Sequence, residues 1–86
     1  MADNMELVVR FHPMGGDDVS LLSKDFRGPE EALEAVTRAV DQRRSLVLNH
    51  ARESYEAEEH GMVINLANVV SVRISKADRE TAGPYL

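Results

Sequence analysis

Gly28-Pro29-Glu30-Glu31-Ala32-Leu33-Glu34-Ala35-Val36-Thr37-Arg38-Ala39-Val40-Asp41-Gln42-Arg43 is the stretch with helical periodicity, and it decides the fold class. Gly28 suits an N-cap. Pro29 is tolerated at the first helical position, where its missing N–H has no partner to lose. Glu30 and Glu31 in the first turn favour the positive end of the helix dipole, and Arg43 and Arg44 favour the negative end. Leu33, Val36 and Val40, flanked by Ala32, Ala35 and Ala39, make one apolar stripe, and Glu34 and Arg38 form an i,i+4 pair on the opposite side. The reading predicts a helix over about residues 29–43 with that stripe in the core.

On either side the period drops to two. Met5, Leu7, Val9 and Phe11 alternate with Glu6, Val8, Arg10 and His12, which predicts a strand over residues 5–11. Pro13, Gly15 and Gly16 break it, and residues 19–22 form a second strand hairpinned to the first. Beyond the helix, residues 45–51 and 62–64 are strands separated by a polar, acidic loop. Residues 65–68 make a tight connection, and residues 69–75, rich in β-branched side chains, form a fifth strand. The order is β-β-α-β-β-β. It implies an α+β domain whose single antiparallel or mixed sheet carries one helix on one face. The domain is expected over residues 5–75, with a disordered N-terminus at 1–4 and a mobile, charged tail at 76–86.

Length and composition bound the rest. The chain has 86 residues, 43% hydrophobic and 29% charged, which is globular composition for one small domain. No cysteine is present, so neither a disulfide nor a thiolate metal site supports the core. A net charge of -5 opposes attraction to phosphate backbones by the overall field. No apolar run approaches a membrane span, and residues 1–5 carry Asp3 rather than a basic run leading into an apolar stretch. A cytoplasmic location follows by default. Of the ten basic residues only Lys24 and Lys76 are lysines, a usage common in high-GC bacteria.

The helix start Pro29-Glu30-Glu31, the stripe behind it, and the strand-turn-strand from Met62-Val63-Ile64 through Asn65-Leu66-Ala67-Asn68 to Val69-Val70-Ser71-Val72-Arg73-Ile74 carry a resemblance. In this layout the chain resembles an actinobacterial family of short proteins of unknown function. That family has a tighter meander, and the long acidic loop from Glu53 to Glu59 and the Gly15-Gly16 turn depart from its pattern; the resemblance implies a fold without an assigned activity.

No active site is legible. His12, His50 and His60, with Glu53 and Glu59 nearby, fit no metal-ligand spacing, and no cofactor is expected. The carboxylates lie in segments that read as solvated, and no serine sits in a nucleophile elbow. The expectation is therefore a non-enzymatic interaction module. A helix about 10 Å wide covers two or three strands at ~4.8 Å spacing, yet five are expected. Val63, Val69, Val70, Val72 and Ile74 exceed what one helix can cover. Either the sheet curls or a second copy packs there, which makes a self-associating protein the leading reading. Two alternatives stand beside it. Arg10, His12, Lys24 and Arg73 on the open sheet face could form an anion- or RNA-binding patch, although the stacking aromatics of sheet-type RNA readers are missing. The loop carrying Glu53, Glu56, Glu58 and Glu59 could present acid to a basic partner, as an inhibitor or antitoxin does.

Overall fold

The computed structural model describes residues 3–77. Its elements follow the expected order: β1 (Met5–Pro13), β2 (Val19–Phe26), α1 (Pro29–Asp41), β3 (Leu46–Arg52), β4 (His60–Ile64) and β5 (Val69–Lys76). One five-stranded sheet has the order β4-β3-β2-β1-β5, and every pairing is antiparallel. The central strand β1 therefore lies between β2 and β5, and β4 and β5 are the two edges.

The sheet cannot be flat. β4 and β5 stand at opposite ends of the strand order, so a flat sheet would place them about 19 Å apart. Residues 65–68 alone join them. An extended chain from Ile64 to Val69 reaches roughly 17 Å, and this one is not extended. The Ala67 N–H donates to Asn65 Oδ1 at 2.9 Å, and the Val69 N–H donates to the Leu66 carbonyl at 3.2 Å, which folds the connection into successive turns. The sheet must curl to bring its edges within reach. The Met14 N–H then donates to the Asn68 carbonyl at 2.8 Å and ties the β1–β2 turn to the same connection.

α1 packs against β5, β2 and β3 on the core side of the curl. The core joins Leu7, Val9 and Phe11 of β1 with Leu21, Leu46, Leu48 and Ala51 and with Ala32 and Val36 of the helix. Val69, Val72 and Ile74 pack against it partly buried. The helix is turned relative to the expected stripe. Ala32, Val36 and Ala39 face the sheet, while Leu33 is 48% and Val40 55% exposed. Alanine on the contact face lets the helix axis approach the curled sheet closely, and the larger Leu33 and Val40 are left on its flanks.

Both ends of α1 are well closed. Glu31 Oε1 accepts the Arg27 N–H at 2.7 Å, ahead of an extended Gly28 with Pro29 behind it. At the C-terminus the Arg43 N–H reaches the Val40 carbonyl (3.2 Å) and the Arg44 N–H the Ala39 carbonyl (2.8 Å). This bonding pattern is a Schellman motif. Its left-handed position, normally glycine, is held by Arg43 at φ 54.

Every strand runs past an expected end: β1 to Pro13, β3 to Arg52, β4 back to His60, and β2 and β5 with the clearest physical cause. β2 continues through Phe26 because the polar Ser23 is fully buried and bonded: its Oγ donates to Asp25 Oδ2 at 2.7 Å. β5 continues to Lys76, which pairs with Leu7, and Ala77 beyond it is buried. The expected tail therefore does not begin at residue 76, because strand pairing and burial hold Lys76 and Ala77. Asn4, placed in the expected disordered N-terminus, is held by its side-chain amide, which donates to the Lys24 carbonyl at 3.0 Å. The rest of the expected mobile segments, residues 1–2 and 78–86, lies outside the described residues.

Candidate functional site

The five apolar residues marked for interaction separate into two groups. Val69, Val72 and Ile74 face the core. Val63 and Val70 stay 69% and 62% exposed. A bulge makes the division in β5. His12 pairs with Ser71 but Pro13 pairs with Val69, which leaves Val70 as the extra residue. Pro13 has no N–H to continue the ladder, so the irregularity falls where it does, and the bulge turns Val69 inward and Val70 outward. With this bulge and the charges of Arg73 and Lys76, the β5 edge carries the features that block strand addition.

The β4 edge is different. β2 and β3 pair only at Leu22–Arg52 and Ser23–Ala51. Beyond that point Leu46, Val47 and Leu48 pair with β4 alone, through Ile64, Val63 and Met62. This two-stranded ribbon packs Leu46, Leu48, Met62 and Ile64 on the core. Alternation puts Val47 and Val63 on the other face, directly opposite one another, at 56% and 69% exposure. From Gly61 to Ile64 the strand carries no charge. Val47 was not marked in the sequence. Its signal was present in the triplet Leu46-Val47-Leu48, where a strand must turn the middle residue away from its neighbours.

The cations marked as an anion patch do not all meet. Arg10 and Arg73 are register partners on β1 and β5, and His12 follows on the same face. Arg10 Nε donates to Ser20 Oγ at 2.9 Å. His12 Nδ1 lies 2.7 Å from Asp18 Oδ1, and this hydrogen bond, with the charges of Arg10 and Arg73 adding to it, holds the exposed Asp18 carboxyl below its ordinary value. Lys24 lies further along β2 and pairs instead with Glu59 at 3.4 Å.

The acidic loop is folded onto its own sheet. Glu59 also lies 3.5 Å from His50, and Glu56 lies 3.4 Å from His60. Glu56 Oε1 accepts the Glu53 N–H at 2.9 Å, and Arg52 donates to the Glu56 carbonyl at 3.0 Å while lying 3.3 Å from Glu6. Glu53 pushes the Tyr55 phenol above its ordinary value. Glu58 is the exposed carboxylate of this loop without an ion pair among the described residues. A shallow hollow lined by Lys24, His50, Arg52, Glu56, Glu58 and Glu59 thus has most of its charge engaged by its own ion pairs, with Glu58 left over among the described residues.

Asp25 was missed by sequence reasoning and organises this region. Its carboxylate accepts the N–H groups of Asn49 (2.6 Å) and His50 (3.1 Å) just beyond the last β2–β3 pair, where the register between β3 and β4 also shifts. It replaces ladder partners that β2 no longer provides there.

Among the described residues no three His, Asp or Glu side chains gather where they could hold a metal ion, and no helix is long and apolar enough to cross a membrane. No family model, no curated protein and no solved structure matches this chain.

Proposed function

We propose that this chain is a non-enzymatic protein-interaction module that pairs with a second copy of itself along β4. One observation carries the reading: Val47 and Val63 form an uncovered apolar pair on a ribbon whose outer strand has unpaired backbone groups and no charge between Gly61 and Ile64. Antiparallel addition of a second β4 about a two-fold axis would satisfy those backbone groups and bring the two valine pairs together. The edge is only 5 residues long, so the association belongs to the weak, transient class.

The test is sedimentation equilibrium on the 9.6 kDa chain over a concentration series reaching about 500 µM, where weak interfaces become populated. The expected result is a mass rising toward a dimer in the parent and in Val70→Glu, and staying at one chain in Val63→Glu with an unchanged circular dichroism spectrum. A parent that stays monomeric throughout contradicts the proposal.

A second reading has one specific observation in its favour. Arg10 and Arg73 stand side by side across two strands, which concentrates positive charge there, and Asp18 nearby offsets part of it. Binding of an oligonucleotide or inorganic phosphate that fails in Arg73→Gln would support an anion site on this face. The acidic-inhibitor reading has less support, because Glu56 and Glu59 are engaged by His60, Lys24 and His50.

A further inference from the structure

The C-terminus of α1 stands over the connection between β4 and β5, and a cleft of about 490 Å³ lies between them. Its lining combines the apolar Val40, Leu66 and Val69 with Arg43, Arg44 and Asn65. The lining contains no carboxylate. Neither arginine makes an ion pair or a side-chain hydrogen bond among the described residues. Two of the last helix carbonyls, those of Val40 and Ala39, already accept the Arg43 and Arg44 N–H groups.

Cations at a helix C-terminus have a structural use of their own, since they complement the dipole. Two observations exceed that use. Arg43 sits at φ 54, where glycine would end the helix without strain, so its side chain is kept at a conformational cost. Val40 is 55% exposed in this lining, although the same helix buries its alanines. A surface serving only to end a helix needs neither feature. Guanidinium forks match planar carboxylates in geometry as well as charge, and the volume lies in the range of small-molecule sites.

We infer that this cleft binds a small aliphatic carboxylate, with the carboxylate on Arg43 and Arg44 and the hydrocarbon along Val40, Leu66 and Val69. The site is separate from the Val47–Val63 pair and does not depend on self-association.

The experiment follows backbone amide shifts of the full chain by NMR during titration with octanoate, acetate and octanol. Saturable shifts centred on residues 43–45 and 65–67 are expected with octanoate, at least tenfold weaker binding with acetate, and none of comparable strength with octanol. Arg44→Gln should weaken octanoate binding at least tenfold. Arg43→Gly should weaken it too while raising the melting temperature, which separates lost recognition from lost folding. Equal binding of acetate, equal binding of octanol, no saturable shift below about 10 mM (the weak limit of specific recognition), or full octanoate affinity in both arginine variants would each overturn the inference.

Discussion

Asp25 reaches from β2 to the Asn49 N–H of β3 at 2.6 Å, and this contact holds two strands that otherwise pair at only two positions. The same carboxylate accepts from His50 and from Ser23 Oγ, a fully buried hydroxyl. Beyond this seam β3 and β4 continue as a ribbon in which Leu46, Val47 and Leu48 pair only with β4.

Removing the carboxylate orphans two backbone N–H groups and the Ser23 hydroxyl. Asp25→Ala should cost about 2 kcal/mol, the range for hydrogen bonds to a charged acceptor, and Asp25→Asn somewhat less. Urea denaturation measures it. A loss no larger than that of an ordinary surface substitution would show that the ribbon is held by packing alone.

Arg43→Gly removes the Cβ conflict at the left-handed position and should stabilise the domain by about 1 kcal/mol, offset in part by the greater freedom of glycine in the unfolded chain. For a domain of this size that is a rise of roughly 4–8 °C in melting temperature at most. Unchanged or lowered thermal stability would mean that the Arg43 side chain contributes packing that offsets its strain.

The two adjacent valines at the β5 bulge should behave in opposite ways. Val69→Glu places a charge against the core and should cost several kcal/mol. Val70→Glu, on the outward residue, should stay within about 0.5 kcal/mol of the parent. Equal effects in chemical denaturation would contradict the bulge.

Much of this architecture was legible in residue order. The alternation of Met5 to Phe11, the capped helix and the β-branched final strand rest on local periodicity, and each stands where the pattern puts it. What escaped depends on non-local geometry. Ser23 and Asp25 looked like the end of a strand because polar residues interrupt the pattern, yet they extend it by bonding each other and β3. The helix face was misjudged because bulk was taken as the mark of burial, whereas close approach selects alanine. Of the interaction residues, Val63 and Val70 are exposed, but which of Val69 and Val70 turns outward depends on a bulge set by Pro13 on a different strand.

Acid should reveal the His12–Asp18 pair. The Asp18 carboxyl titrates below its ordinary value of 3.8 in the folded chain, so on acidification the unfolded chain takes up this proton first. The stabilisation is therefore fully present above 3.8 and is lost as the pH falls through the lowered folded value. His12→Ala removes the hydrogen bond and should move the Asp18 titration, followed by carboxyl-carbon NMR, back toward 3.8. An unmoved titration would assign the shift to Arg10 and Arg73 instead.

Pairing along β4 is tested most directly by the distance between two copies at that edge. The chain has no cysteine, so Val63→Cys carries a single spin label on each copy. Strands paired antiparallel lie about 4.8 Å apart, so labels at this position should report an intermolecular distance under about 20 Å once linker length is added. The expected result is that short distance at Val63, growing with protein concentration and absent when the label is moved to Val70 on the opposite edge. A short distance at Val70 with none at Val63, or no intermolecular distance at either position, would contradict self-association through β4.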